Sequence, residues 1–178
     1  LTAASMAATS SGELPFGLDV VKEEEGFVLY LVNGEERVRV TDVTAADGRF
    51  AATLRGAEST LKAEIRGRKL TGEVSLRRAG GEREVLPFRA EAGKAWRFFE
   101  TPSTDNADVA GRWAVTFIDA QDPQVTGVAE FTQSFERVTA TIATASGDNR
   151  ILVGEVRGDE LYLSRFDGLT GEMNRWSL

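Results

Sequence analysis

The sequence predicts an all-β protein made of two antiparallel β-meander units, each of them a small barrel or a strongly curved sheet. The main observation is that short β-type runs are interrupted every roughly eight to twelve residues by turn residues, as in a meander. In addition, no stretch of about ten residues combines a helical apolar stripe with helix caps. The 178 residues are 42% hydrophobic, which is enough for a sizeable core.

The first unit is predicted to cover residues 1–91. An apolar run at 27–32 leads into Asn33-Gly34, a strong hairpin signal because both residue types tolerate a positive φ. Residues 35–43 alternate between polar and apolar side chains and predict a half-buried strand with one wet face. Turn residues then separate the remaining β-type runs, which lie at 50–54, 61–65, 70–76 and 84–90.

The segment 92–109 is predicted to be a linker between the two units. Its polar half, which includes Pro102 and Asn106, has the composition of a loop. Its aromatic half carries Trp96, Phe98 and Phe99. We expect these rings to seal one end of a barrel, and the alternative is that they line the mouth of a ligand site.

The second unit is predicted over residues 110–178. Trp113, Val115 and Phe117 alternate on one face of its first strand. Turns are predicted at 121–123 and at 167–168, with further β-type runs before, between and after them. The last run reaches Leu178 without a closing turn. Because natural sheets usually cover their edges, we expect this unit to be truncated at its C-terminus and the chain to belong to a longer protein.

The two halves show a weak internal repeat. When Gly34 is placed on Gly147, the residues that follow them match in turn, charge and apolar positions over one hairpin, up to Val43 and Val156. Such a match indicates a duplicated β unit, although common turn chemistry could also produce it.

The composition excludes several classes of chemistry. The chain has no cysteine and no histidine, so it has neither a thiol nucleophile nor a Ser-His-Asp triad, and it cannot form a His- or Cys-ligated metal site. The net charge of −7 argues against binding to a nucleic-acid backbone. No apolar run is long enough for a membrane span. We therefore predict a non-enzymatic chain, with no catalytic, cofactor-binding or metal-ligating residue and no cofactor.

Two motifs have a functional and a structural interpretation. Arg157-Gly158-Asp159 has the letters of the integrin-binding tripeptide, but a tight turn between two strands explains the same residues. Glu23-Glu24-Glu25 could bind a hard cation, but an exposed charged run before a glycine turn is the interpretation that we favour.

Four segments, in this order along the chain, resemble the β-rich N-terminal region of bacterial TlpA-like disulfide reductases, which have a thioredoxin fold and are also described as redoxin-type proteins. These segments are Gly12-Glu13-Leu14-Pro15-Phe16-Gly17-Leu18, Tyr30-Leu31-Val32-Asn33-Gly34-Glu35-Glu36-Arg37, Leu86-Pro87-Phe88-Arg89-Ala90 and Ser164-Arg165-Phe166-Asp167-Gly168. The resemblance spans most of the chain but consists of structural turns. It departs from the family at Arg165, where a cysteine often precedes the phenylalanine.

The resemblance implies a non-catalytic function that depends on where this region lies relative to a catalytic domain. In that family the β region precedes a thioredoxin domain that carries a Cys-x-x-Cys motif, and this chain contains no residue of that motif. We therefore expect a non-catalytic module that positions a downstream thioredoxin-fold domain or contacts a redox partner protein. The resemblance also implies a location in the periplasm or cell envelope.

Two other functions remain open from the residues. One is a lipocalin-like barrel that holds a small apolar ligand between its strands. The other is a hydrolase that uses carboxylates alone, although no spacing favours a particular pair of them.

Overall fold

The computed structural model of the chain describes residues 2–8, 12–54, 58–77, 81–117, 125–145, 147–166 and 172–177. All regular secondary structure among these residues consists of β-strands, which confirms the all-β prediction. The strands are β1 (Thr2–Ala8), β2 (Gly12–Glu23), β3 (Gly26–Asn33), β4 (Glu36–Val40), β5 (Asp42–Ala46), β6 (Arg49–Leu54), β7 (Ser59–Arg66), β8 (Lys69–Arg77), β9 (Arg83–Ala92), β10 (Gly111–Phe117), β11 (Val125–Ser134), β12 (Arg137–Thr144), β13 (Gly147–Arg157), β14 (Glu160–Arg165) and β15 (Glu172–Ser177). The turns predicted at 121–123 and 167–168 lie outside the described residues.

The chain forms two compact units. Unit 1 consists of Leu1–Glu100 with Phe166–Met173, and unit 2 consists of Thr101–Arg165 with Asn174–Leu178. The sheet of nine strands has the order β4-β3-β2-β1-β9-β8-β7-β6-β5, and the sheet of six has the order β10-β11-β12-β13-β14-β15. Neighbouring strands whose register the described residues define are antiparallel throughout, as in a meander.

The nine-stranded sheet is strongly curved. Its two terminal strands, β4 and β5, are joined by the single residue Thr41, so their ends lie at most about 7 Å apart. In keeping with this, β5 packs across β3. The strand predicted at 35–43 is therefore divided at Thr41, and its two parts form opposite edges of the sheet. The residues that align with this stretch in the second half of the sequence lie on the single strand β13, whose register with β12 shifts between Ala140 and Ile142.

The core of unit 1 lies on the inner face of its curved sheet. Leu14, Phe16 and Leu18 alternate along β2 and are each at most 3% exposed. The Phe16 ring lies 6.4 Å from the Phe88 ring and 6.1 Å from the Phe166 ring, measured between centroids. Phe166 thus joins this core from a distant part of the sequence. The core of unit 1 thus combines these rings with a larger number of aliphatic side chains.

The core of unit 2 combines strand residues with one residue that precedes them. Val109 is 1% exposed and packs with the inward-facing residues of the sheet, although it lies in the segment expected to be a linker. The inward-facing residues of this core are Val115, Ala129, Phe131, Val138, Ala140, Ile142, Leu152, Val156, Leu161 and Leu163.

The hairpin predicted at Asn33-Gly34 is confirmed between β3 and β4, with its centre shifted by one residue. Asn33 pairs with Glu36, so Gly34 and Glu35 form the turn. Gly34 has φ +62°, which a glycine adopts without steric cost. Asn33 is 1% exposed and serves as the last residue of the strand rather than as part of the turn.

Glu36 gives this hairpin a weak dependence on pH. Partial burial raises the pKa of the Glu36 carboxyl above its ordinary value of 4.5. The Glu36 carboxyl therefore binds its proton more tightly in the folded state than in the unfolded chain. As the pH rises through the folded-state pKa, this difference lowers the free energy of unfolding. We expect Glu36→Gln to raise the free energy of unfolding at neutral pH by less than about 0.5 kcal/mol.

The test is urea unfolding of the Glu36→Gln variant at about pH 7 and about pH 3. The gain should vanish at the lower pH, where Glu36 is protonated in both the folded and unfolded states. Glu35→Gln, at the exposed neighbour in the turn, is the control for the loss of one negative charge from this hairpin. An equal gain at both pH values would contradict the explanation by burial.

Candidate functional site

Three segments of unit 2 meet at one end of its sheet. They are residues 105–109, the turn Phe135-Glu136 between β11 and β12, and the turn Gly158-Asp159 between β13 and β14; together we call them the loop end. The backbone N–H of Ala107 donates to the Gly158 carbonyl at 2.8 Å, and the Gly158 N–H donates to Asn106 Oδ1 at 3.0 Å. The polar segment predicted as linker is thus fastened at this end.

Gln133 holds the loop end together through one side-chain amide. Its Oε1 accepts the Val109 N–H at 2.8 Å, and its Nε2 donates to the carbonyls of Ala107 at 3.1 Å and Phe135 at 2.9 Å. The acceptor and the donor nitrogen are both in use, which fixes the orientation of the amide. Gln133 therefore ties residues 107–109 to the turn that carries Phe135.

Phe135 is the most unusual residue of this site. Its side chain is 86% exposed, and its backbone has φ +56° in a two-residue turn. A left-handed conformation costs a bulky L-residue roughly 1–2 kcal/mol, so glycine is the ordinary choice there. The chain instead places a strained phenylalanine in solvent. Among the described residues Ile151 also combines a positive φ with an exposed apolar side chain, but it has no aromatic ring and lies outside the loop end, so Phe135 is the candidate contact residue of this site.

Charged side chains of both signs lie near Phe135. The three segments of the loop end contain Asp105, Asp108, Glu136 and Asp159, while the exposed Arg137 and Arg157 directly adjoin the two turns. The Asp108 carboxylate accepts the N–H of Ala110 at 3.0 Å and is thereby held in place. The loop end therefore combines an exposed aromatic ring with both acidic and basic side chains.

The Arg157-Gly158-Asp159 tripeptide forms the tight turn that its residues predict. Arg157 pairs with Glu160 across the hairpin, and Gly158 has φ +60°. Because the N–H and the carbonyl of Gly158 both bond to residues 106–107, the geometry of this turn serves to attach that segment.

The outer face of β2, β3 and β4 carries a charged cluster around Tyr30. Arg37 lies 4.8 Å from the Tyr30 ring centroid and 2.9 Å from Asp19, and Arg39 contacts Glu23 at 2.8 Å. Hydrogen bonding to Tyr30 raises the pKa of Arg39. Exposed ion pairs of this kind contribute little stability, but charges on an edge strand such as β4 disfavour pairing with other chains.

The aromatic segment predicted to seal a barrel lies half-buried. The Lys94 ammonium is 3.3 Å from the Trp96 ring centroid, and the Arg97 guanidinium is 4.6 Å from that of Phe98. Two of the three rings are therefore in contact with a cation. Such cation–π packing is common on protein surfaces and explains why these rings are only half-buried.

The described part of the chain contains no group of three or more acidic, His or Cys side chains that could hold a metal ion. Likewise, no helix among the described residues has the length and apolarity that crossing a membrane requires. The loop end is consequently the strongest candidate site in this part of the chain.

Comparison with known proteins adds no relative. No protein-family model matches the chain, and neither the curated proteins nor the solved structures contain a significant match.

Proposed function

We propose that this chain is a non-catalytic protein-interaction module whose contact site is the loop end of unit 2. The observation that carries the proposal is Phe135, an 86% exposed ring on a backbone with φ +56°. Glycine at this position would relieve the strain. Retaining a phenylalanine is reasonable where the ring fills a pocket on a partner, since aromatic anchors commonly dominate interface energetics.

The resemblance to TlpA-like proteins suggests the partner. On that basis the contact is with a thioredoxin-fold domain, either downstream in the same protein or on a separate redox partner in the bacterial envelope. The module would then position the domain that carries the cysteines. Its own lack of cysteine and histidine fits this division of labour.

Charge favours a protein surface over an anionic lipid surface as the target of Phe135. The whole chain carries a net charge of −7 and would be repelled by anionic headgroups. A pocket lined by apolar residues and bordered by Lys or Arg is complementary to both the ring and this net charge.

The alternative, a lipocalin-like ligand site, has less support. In the core of unit 1 the buried Phe16 ring contacts both the buried Phe88 ring, at 6.4 Å between centroids, and the partly buried Phe166 ring, at 6.1 Å. A small apolar ligand would have to displace at least one of them. This is the arrangement of a packed core rather than of an open cavity.

We expect Phe135→Ser to weaken binding to the thioredoxin-fold partner by about 30-fold, which corresponds to about 2 kcal/mol. The partner is identified first by reading the gene past Leu178, where the tethered form of the proposal requires a domain with a Cys-x-x-Cys motif. Binding of the separately produced domain to the present chain is then measured by isothermal titration calorimetry.

Ile151→Ser is the matched control for this experiment. Ile151 is also an apolar residue of unit 2 with a positive φ, +55°, and it is 60% exposed, but it lies on β13 outside the loop end. Its replacement should leave the affinity unchanged. A stop codon directly after Leu178 rules out the tethered form, and equal effects of the two substitutions would exclude the loop end as the contact site.

The Phe135→Gly variant distinguishes the effect of backbone strain on stability from the effect of the aromatic ring on binding. Glycine relieves the left-handed φ, so this variant should be more stable than the parent by about 1 kcal/mol while it binds as weakly as Phe135→Ser. A rise in the urea midpoint together with a loss of binding would identify Phe135 as retained for contact rather than for folding.

A further inference from the structure

Strand β10 forms an exposed edge of the sheet of unit 2. It is terminal in the strand order, and β11 is its strand neighbour among the described residues. Its register with β11 is unbroken from Gly111↔Phe131 to Phe117↔Val125. Residues 111–114 are all exposed. The strand thus offers a regular, solvent-accessible edge that is seven residues long.

The edges of the nine-stranded sheet differ from β10. Strands β4 and β5 are only five residues long, and β4 carries Arg37 and Arg39. Short length and charge are devices by which natural proteins prevent edge-to-edge pairing. Strand β10 has one charged residue, Arg112, and it leaves Trp113 45% exposed. It therefore lacks the protection that the other two edges have.

We propose that two copies of this chain associate by antiparallel pairing of their β10 strands around a two-fold axis at Ala114. The two sheets would continue into one another with their inner faces on the same side. In this register Trp113 lies opposite Val115 of the second copy, and Arg112 lies opposite Thr116 of the second copy. Each pair occurs twice by symmetry.

The residues of β10 are complementary to themselves in this register. An aromatic ring opposite a β-branched side chain is a favourable cross-strand pair, and here it covers the exposed Trp113. Arg112 meets a neutral threonine, so no like charges face each other. The indole Nε1 of Trp113 already donates to the Val109 carbonyl at 2.9 Å, so the ring can be buried without loss of a hydrogen bond.

Substitutions at Thr116 test this register because opposite charges should have opposite effects. Thr116→Arg places an arginine against Arg112 of the second copy, and Thr116→Asp places a carboxylate there. We expect the first to weaken dimerisation by about fivefold and the second to strengthen it by about fivefold, each about 1 kcal/mol over two symmetric pairs. Sedimentation equilibrium of the full chain over a range of concentrations measures both.

Thr126→Arg and Thr126→Asp are the matched controls. Thr126 lies opposite Thr116 on β11 and is also exposed, but it is one strand removed from the edge. These changes should not alter the equilibrium constant of dimerisation. A chain that remains monomeric up to about 1 mM, or a dimer that responds equally to both charges at Thr116, would overturn the proposal. Because Phe135→Ser leaves β10 unchanged, it should not affect dimerisation, so the failure of either proposal is recognised separately.

Discussion

Gly154→Ala is expected to destabilise unit 2 by about 3 kcal/mol. Gly154 lies on β13 between Val138 of β12 and Leu163 of β14. A Cβ at this position would lie 2.7 Å from the carbonyl carbon of Tyr162 and 2.9 Å from the Cα of Leu163. Both atoms belong to the backbone of β14, so β13 and β14 would have to separate locally.

The loss of stability is expected to be large because the substitution lies on an inner strand of the sheet. The inner faces of β13 and β14 carry Leu152, Val156, Leu161 and Leu163, all at most 1% exposed. Separating the strands lengthens their backbone hydrogen bonds and loosens this core at the same time. A loss of about 3 kcal/mol is a substantial part of the 5–15 kcal/mol that usually stabilises a domain.

Hydrogen exchange measured by mass spectrometry should show reduced protection concentrated in the peptides of β13 and β14. Gly17→Ala is the control. A Cβ at Gly17 would lie 3.0 Å from the Cβ and 3.4 Å from the carbonyl oxygen of Val32, so only a small local shift is needed, whereas the Cβ at Gly154 overlaps backbone atoms of β14. We expect it to change stability by less than about 1 kcal/mol. Similar losses for the two alanine variants would contradict the explanation by backbone contact.

The strands could be predicted largely because their signals are local. The hairpin at Asn33-Gly34 and the turn at Gly158-Asp159 depend on residues that favour particular backbone conformations, and the alternation between them gives the face of each strand. The order of the strands is not local. β1 lies between β2 and β9, since Thr2 pairs with both Leu18 and Ala92. The alternation of polar and apolar residues indicates which face of a strand is buried, but it does not indicate which strands are its neighbours in the sheet.

The candidate site could not be predicted from its residues. The turn at Phe135-Glu136 has neither glycine nor asparagine, so it gives no hairpin signal. Residues 105–109 have the polar composition of a linker, and their attachment depends on Gln133, which lies at least 24 residues away in the sequence. Such long-range hydrogen bonds leave no periodic pattern. An exposed aromatic residue is visible in the sequence only as one more apolar position on a strand.

Phe88→Ala is expected to lower the free energy of unfolding by about 3–5 kcal/mol. Phe88 lies on β9 and is 2% exposed. Its cross-strand neighbour on β8 is Gly72, so the side where the ring packs has no competing side chain from that position. Its aromatic neighbour is Phe16 on β2, two strands away in the same sheet, whose ring centroid is 6.4 Å away at an interplanar angle of 34°. Removing the ring therefore leaves a cavity at the centre of unit 1.

Urea unfolding of Phe88→Ala measures this loss, and Val85→Ala is the control on the same strand. Val85 is 55% exposed, so its truncation should cost less than about 0.5 kcal/mol. Phe88→Leu keeps most of the volume and should lose less than about 1.5 kcal/mol. A cost of less than about 1 kcal/mol for Phe88→Ala would mean that the core is loosely packed around this ring.

The same variant distinguishes a packed core from a ligand-binding barrel. A buried apolar cavity of the size of a phenyl ring can bind benzene, as engineered cavities in other proteins do. If Phe16, Phe88 and Phe166 fill the interior of unit 1, benzene should raise the melting temperature of Phe88→Ala and leave that of the parent unchanged. If benzene stabilises both proteins equally, the parent already contains an apolar cavity. That result would favour the lipocalin-like function over a module that acts only through its surface.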